Sequence, residues 1–147
     1  MKKSFFLLLL LILTASVMAC GAPASVIEET KAEGTEQETE EKQVIYKNIT
    51  ADEAKEIMDS ESGYVILDVR TEEEYAEGHI PGAILIPDYE IIQKAESILT
   101  DKDQRILVYC RSGRRSKNAA EALLALGYTN IWEFGGIIDW NYDIERN

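Results

Sequence analysis

Cys110 is the residue in this sequence best placed to do covalent chemistry. It ends the apolar run Arg105–Tyr109 and opens the stretch Cys110-Arg111-Ser112-Gly113-Arg114-Arg115-Ser116, after which a helical pattern begins. The N–H groups of a tight loop and of a first helical turn have no internal partners and converge on one small space. They form an anion cradle, reinforced by the positive end of the helix dipole. A sulfur at its centre is favoured as thiolate, the nucleophilic form. Gly113 admits a backbone conformation that other residues resist. From Val44 onward the chain has 20 acidic and 11 basic side chains, and four of those basic ones (Arg111, Arg114, Arg115 and Lys117) fall within seven residues beside Cys110. That local reversal of sign points to an anionic substrate or intermediate. The alternative is a small buried thiol at a strand end beside a solvated basic turn; the Ser-Gly turn, the arginine pair and the following helix favour the reactive reading.

The elements that must hold this loop alternate between short apolar runs and helical patterns, the signature of an α/β domain with a mostly parallel sheet. Strands are predicted over 44–49, 64–69, 83–86, 105–109 and 131–134. Thr50-Ala51-Asp52-Glu53 and Thr71-Glu72-Glu73-Glu74 are capping boxes that open helices, the second of them ending at Gly78. A helix is predicted over 91–99. Another, from Arg114 to Leu126, buries Ala119, Ala120, Leu123 and Leu124 and is stopped by Gly127. Gly135-Gly136 is expected to turn into a last short helix carrying Trp140.

The 147 residues suffice for one domain plus accessory segments. With 46% hydrophobic and 29% charged residues the composition is that of a globular protein, and the net charge of -12 argues against nucleic acid as a partner. Residues 1–19 have the layout of a secretory signal: Lys2 and Lys3, then an apolar run from Phe5 to Leu13, then small residues. Val17-Met18-Ala19-Cys20 resembles a bacterial lipobox, which implies acylation of Cys20 and a protein exported and anchored at the outer face of the cytoplasmic membrane, or at another extracytoplasmic membrane face. Ordinary cleavage to a secreted protein is the alternative. Residues 20–43 hold the attachment site and an acidic linker: seven Glu stand against Lys31 and Lys42, with too few bulky apolar side chains to offset ordering entropy. Residues 44–147 form the folded domain.

Four stretches of that domain resemble the rhodanese family, in the family's order. They are Tyr64-Val65-Ile66-Leu67-Asp68-Val69-Arg70, Gly78-His79-Ile80-Pro81-Gly82-Ala83, the Cys110 loop, and Gly135-Gly136-Ile137-Ile138-Asp139-Trp140. The resemblance implies a five-stranded parallel sheet with helices on both faces and the cysteine at the carboxyl end of a central strand, where open α/β sheets bind ligands. It implies a thiosulfate sulfurtransferase type of enzyme. In such an enzyme Cys110 takes sulfane sulfur from thiosulfate or a persulfide donor and passes it to cyanide or a thiol. Arg111, Arg114 and Arg115 would receive the anionic donor; Ser112, Gly113 and Ser116 would shape the cradle. No metal or organic cofactor is implied, and a monomer is expected.

Asp68 and Arg70 are read first as a structural ion pair or as partners of the helix at Thr71, and second as substrate contacts. His79, the only histidine, is read as structural rather than as a base for Cys110, and Trp132 and Trp140 as core or rim aromatics. Two rival functions stand beside sulfur transfer. One is a non-catalytic or partner-specific module that carries or senses persulfide. The other is a phosphatase or arsenate reductase, whose loop places arginine six residues after cysteine. Here that position is Ser116, and Arg115 comes one place earlier, a cradle too tight for a tetrahedral oxyanion.

Overall fold

The computed structural model describes residues 42–146. The proposed signal segment, Cys20 and most of the acidic linker lie outside the described residues. Five parallel strands form one sheet in the order β1-β5-β4-β2-β3, with β1 at Ile45–Asn48, β2 at Tyr64–Asp68, β3 at Ile84–Leu85, β4 at Arg105–Cys110 and β5 at Asn130–Gly136. The helices are α1 (Ala51–Ser60), α2 (Glu72–Glu77), α3 (Ile91–Ile98) and α4 (Arg114–Ala125).

Parallel strands need crossovers, and the crossover helices cover both faces of the sheet. On one face α3 and α4 bury Ile91, Ala95, Ala119, Ala120 and Leu123 against Leu67, Ile106, Val108 and Ile131. On the other face α1 buries Ala54 and Ile57 against Ile66, Leu107, Tyr109 and Phe134, with Trp140 closing that layer. Both capping boxes form: Thr50 and Glu53 satisfy each other's backbone N–H groups at the start of α1, and Thr71 and Glu74 do so at the start of α2. The helix that follows β2 packs toward the Trp140 layer through Tyr75, whereas the helix that follows the adjacent β4 packs on the opposite face. Connections leaving neighbouring strands for opposite faces open a crevice at the strands' carboxyl ends. Cys110 ends β4 at that crevice.

Four local expectations are corrected. The third strand is only two residues long, because Ile84 and Leu85 pair with Leu67 and Asp68 at the sheet edge before Pro87 turns the chain away. Leu124 is half-buried, since the core-facing stripe of α4 runs through Ala119, Ala120 and Leu123. Gly135 and Gly136 belong to β5 rather than to the turn after it, because Gly136 pairs with Cys110. The last helix is a short 3-10 turn, Ile137–Asp139, with Trp140 donating its backbone N–H to the Ile137 carbonyl at 3.2 Å.

Asp68 and Arg70 brace the carboxyl end of β2. Arg70 Nη2 donates to Asp68 Oδ2 at 2.6 Å and to the Gly78 carbonyl at 2.8 Å, tying β2 to the end of α2. Both side chains are buried. Removing one member of such a pair strands a charge out of water. Asp68→Ala is expected to cost about 3–5 kcal/mol of stability, read as a lower urea midpoint, and adding Arg70→Leu should recover most of the loss.

Candidate functional site

A register shift builds the site. Val108 pairs with Glu133, but the next pair along β4 is Cys110 with Gly136, so β5 holds one extra residue over this interval. The bulge is centred on Gly135, which has a φ of +85°. The Gly135 N–H that leaves the ladder is taken up by Glu133 Oε1 at 3.0 Å. Past the bulge, Gly136 lies directly against the cysteine loop: a Cβ there would fall 2.2 Å from the Arg111 carbonyl oxygen and 2.5 Å from Ser112 Cα. Only glycine lets loop and strand approach so closely. The Ile138 N–H then holds the Arg111 carbonyl at 3.3 Å.

The loop itself turns at Gly113, whose φ of +94° is left-handed and whose N–H donates to Cys110 Sγ at 3.1 Å. Helix α4 starts at the next residue. Ser116, one turn in, is buried, with its hydroxyl 3.5 Å from Sγ. Cys110 itself is only 1% exposed. Burial pushes its thiol pKa up, but the Ser116 hydroxyl and the backbone N–H groups of Ser116, Ser112 and Gly113 pull it down further, so it lies below that of an ordinary thiol. The arrangement can therefore hold a negatively charged sulfur in a site without bulk water.

The predicted site residues differ in where their side chains lie. Cys110, Gly113 and Ser116 are buried and meet at the sulfur, joined by the Ser112 backbone. The side chains of Arg111, Ser112 and Arg114 are exposed around the loop, as is Lys117. Arg115 departs from the expectation that it receives the donor: its two terminal nitrogens bind the Glu74 carboxylate at 2.7 and 2.8 Å. That bidentate pair, led by the Arg115 hydrogen bonds, holds the Glu74 carboxyl down at about 2 against an ordinary 4.5. Arg115 thereby fastens α4 to α2, and its charge still reaches Cys110. Asp68 and Arg70 bind each other and the Gly78 carbonyl. His79 stacks on Tyr75 with ring centroids 3.7 Å apart and faces Glu145 across 3.7 Å. Among the described residues, no cluster of His, Cys, Asp and Glu could hold a metal ion.

Glu133 was not singled out by the sequence. It is 2% exposed, and its Oε1 lies 2.5 Å from Ser116 Oγ. A signal for it was present: residues 131 and 133 share one face of a strand, and an acid on the core face just before Gly-Gly is out of place there.

The rhodanese-like domain family matches residues 50–143, and the chain belongs to that family. It is 40% identical over 73 residues to the thiosulfate sulfurtransferase PspE of Escherichia coli, covering 50% of this chain and 70% of the relative. It is 36% identical over 94 residues to the putative sulfurtransferase YtwF of Bacillus subtilis, covering 64% of this chain and 89% of the relative. Among solved structures it is similar to a rhodanese-like domain protein from Staphylococcus aureus, with 34% identity, a TM-score of 0.60, and coverage of 69% of this chain and 98% of the other. A rhodanese with anions from E. coli is 34% identical with a TM-score of 0.54, over 57% of this chain and 99% of that one. The chain is thus a transferase of the rhodanese type, concerned with sulfur transfer.

The close approach at Gly136 is directly testable. Gly136→Ala should displace residues 111–112, raise the Cys110 thiol pKa, and slow Cys110 alkylation at neutral pH by about tenfold or more, while far-ultraviolet circular dichroism shows the fold retained.

Proposed function

We propose that the protein moves sulfane sulfur from a small anionic donor such as thiosulfate to a thiol or cyanide, through a persulfide on Cys110. The observation that carries this reading is the ring of donors on Sγ: the Gly113 N–H at 3.1 Å, the Ser116 hydroxyl at 3.5 Å, and the backbone N–H groups of Ser112 and Ser116. Fixed dipoles aimed at a sulfur stabilise it whenever it carries charge, as thiolate or as persulfide.

In the loading step the Cys110 thiolate attacks the outer sulfur of thiosulfate. A new S–S bond forms, the bond to the sulfonate sulfur breaks, and sulfite leaves with that electron pair. In the second step an acceptor thiolate or cyanide attacks the outer sulfur of the persulfide, and Cys110 leaves as thiolate. Arg111 and Arg114, exposed at the loop, draw the anionic donor toward the sulfur. Arg115 holds α4 in place through Glu74 and contributes its positive field. The residue pattern of 1–20 supports an exported, lipid-anchored setting for this chemistry.

The test is the mass of the intact protein after incubation with thiosulfate, with Cys110→Ser alongside. The wild type is expected to gain one sulfur, about 32 Da, and to lose it to cyanide or a thiol while the variant stays unchanged. No gain on a demonstrably reactive Cys110 would exclude thiosulfate as donor and favour a partner-specific persulfide.

A further inference from the structure

Ser116 has one hydroxyl proton and four acceptors around it. Glu133 Oε1 lies at 2.5 Å, the Gly113 carbonyl at 3.1 Å, the Gly135 carbonyl at 3.3 Å and Cys110 Sγ at 3.5 Å. A hydroxyl donates only one hydrogen bond but can also accept. When Glu133 is ionised, the shortest contact claims the proton and the sulfur keeps only its backbone donors. When the Glu133 carboxyl carries a proton, it donates to Ser116 Oγ, and the Ser116 hydroxyl turns to the sulfur. Moving two protons along the line Oε1, Oγ, Sγ converts one arrangement into the other.

We propose that Glu133 is the proton partner of Cys110, joined to it through Ser116, and so positions the proton exchanged when the thiol becomes a thiolate. In that step the Cys110 S–H bond breaks and its electron pair stays on Sγ. The proton passes to Ser116 Oγ as the hydroxyl proton passes to Glu133 Oε1. Negative charge moves from carboxylate to sulfur, nothing is oxidised or reduced, and no proton is exchanged with solvent. The same carboxylate oxygen also holds the Gly135 N–H, which fixes its place behind the loop. Its use in turnover rests on the sulfur-transfer reading; the proton sharing itself needs no sulfur donor.

Few other ionisable groups face this line. Tyr46 on β1 senses Glu133, with Asn48 beside it and Glu121 of α4 beyond. Arg115 of α4 senses Cys110 and is itself paired with Glu74 of α2 and near Asp88. None of these bridges Oε1 and Sγ, as Ser116 does.

The experiment is the rate of Cys110 alkylation by iodoacetamide in the full chain between about pH 5 and 9, read from the mass of the peptide carrying Cys110 so that Cys20 does not contribute. In the wild type the thiol–carboxylate and thiolate–carboxylic acid forms contain the same number of protons. Below the thiol midpoint the rate should therefore level off at a pH-independent floor. Glu133→Gln keeps the size and an acceptor oxygen but cannot take up the proton. Its floor should vanish, the rate falling about tenfold per pH unit, and its midpoint should move to lower pH because a neighbouring negative charge is gone. A wild-type rate that falls about tenfold per unit with no floor overturns the proposal whether or not the variant folds, as does a floor that survives in Glu133→Gln. Sulfur loading from thiosulfate without the floor would overturn the proton sharing and leave sulfur transfer standing; a floor without sulfur loading would do the reverse.

Discussion

The Cys110 sulfur is removed from water, and a buried sulfur anion is tolerated only where fixed dipoles replace its lost hydration. The rest of the architecture answers to that requirement. A central parallel strand delivers the sulfur to the sheet's carboxyl edge, a left-handed glycine folds the loop back over it, and α4 begins at once so that its first amides point the same way. Ser112, Gly113 and Ser116 then contribute N–H groups from positions that a longer loop would spread apart.

Holding a loop so tightly against a strand constrains the strand as well. The bulge in β5 exists where Gly136 must meet the Arg111 carbonyl without a side chain between them. A bulge leaves a backbone donor without a ladder partner, and here Glu133 takes it. The acid that repairs the strand is thus also the acid behind the cradle, within reach of the Ser116 hydroxyl. Further out, the Arg115–Glu74 pair ties the site's helix to α2, and Asp68 with Arg70 ties β2 to the end of that same helix. The first pair joins helices that lie on opposite faces of the sheet, and the second keeps two buried charges matched at the carboxyl end of β2.

Much of this was legible in the residues. Both threonine capping boxes, the apolar strands and the glycine-stopped α4 are local signals, and local signals suffice where propensity, pattern and fold agree. The Cys110 loop was legible because an anion cradle needs a strand end, a glycine turn and a helix start in immediate succession. The bulge was not, because strand register is decided by pairing partners distant in sequence, and Gly135-Gly136 reads equally well as a turn. The Arg115–Glu74 pair spans 41 positions, so no window along the chain reveals that this arginine is engaged. Glu133 stood out locally as an acid on a strand's core face, but its partnership did not: Ser116 lies on another element, and only the fold brings the two together.

The most direct test of the account is the pH midpoint of Cys110 thiolate formation, followed by ultraviolet absorbance in the wild-type protein against Cys110→Ser as blank. Burial alone raises a thiol pKa, whereas the cradle lowers it, so the sign of the displacement decides between them. A midpoint below the ordinary thiol value of about 8.5 is the result predicted. A midpoint at or above that value would contradict the account, because it would mean that the donors around the sulfur do not stabilise its charge.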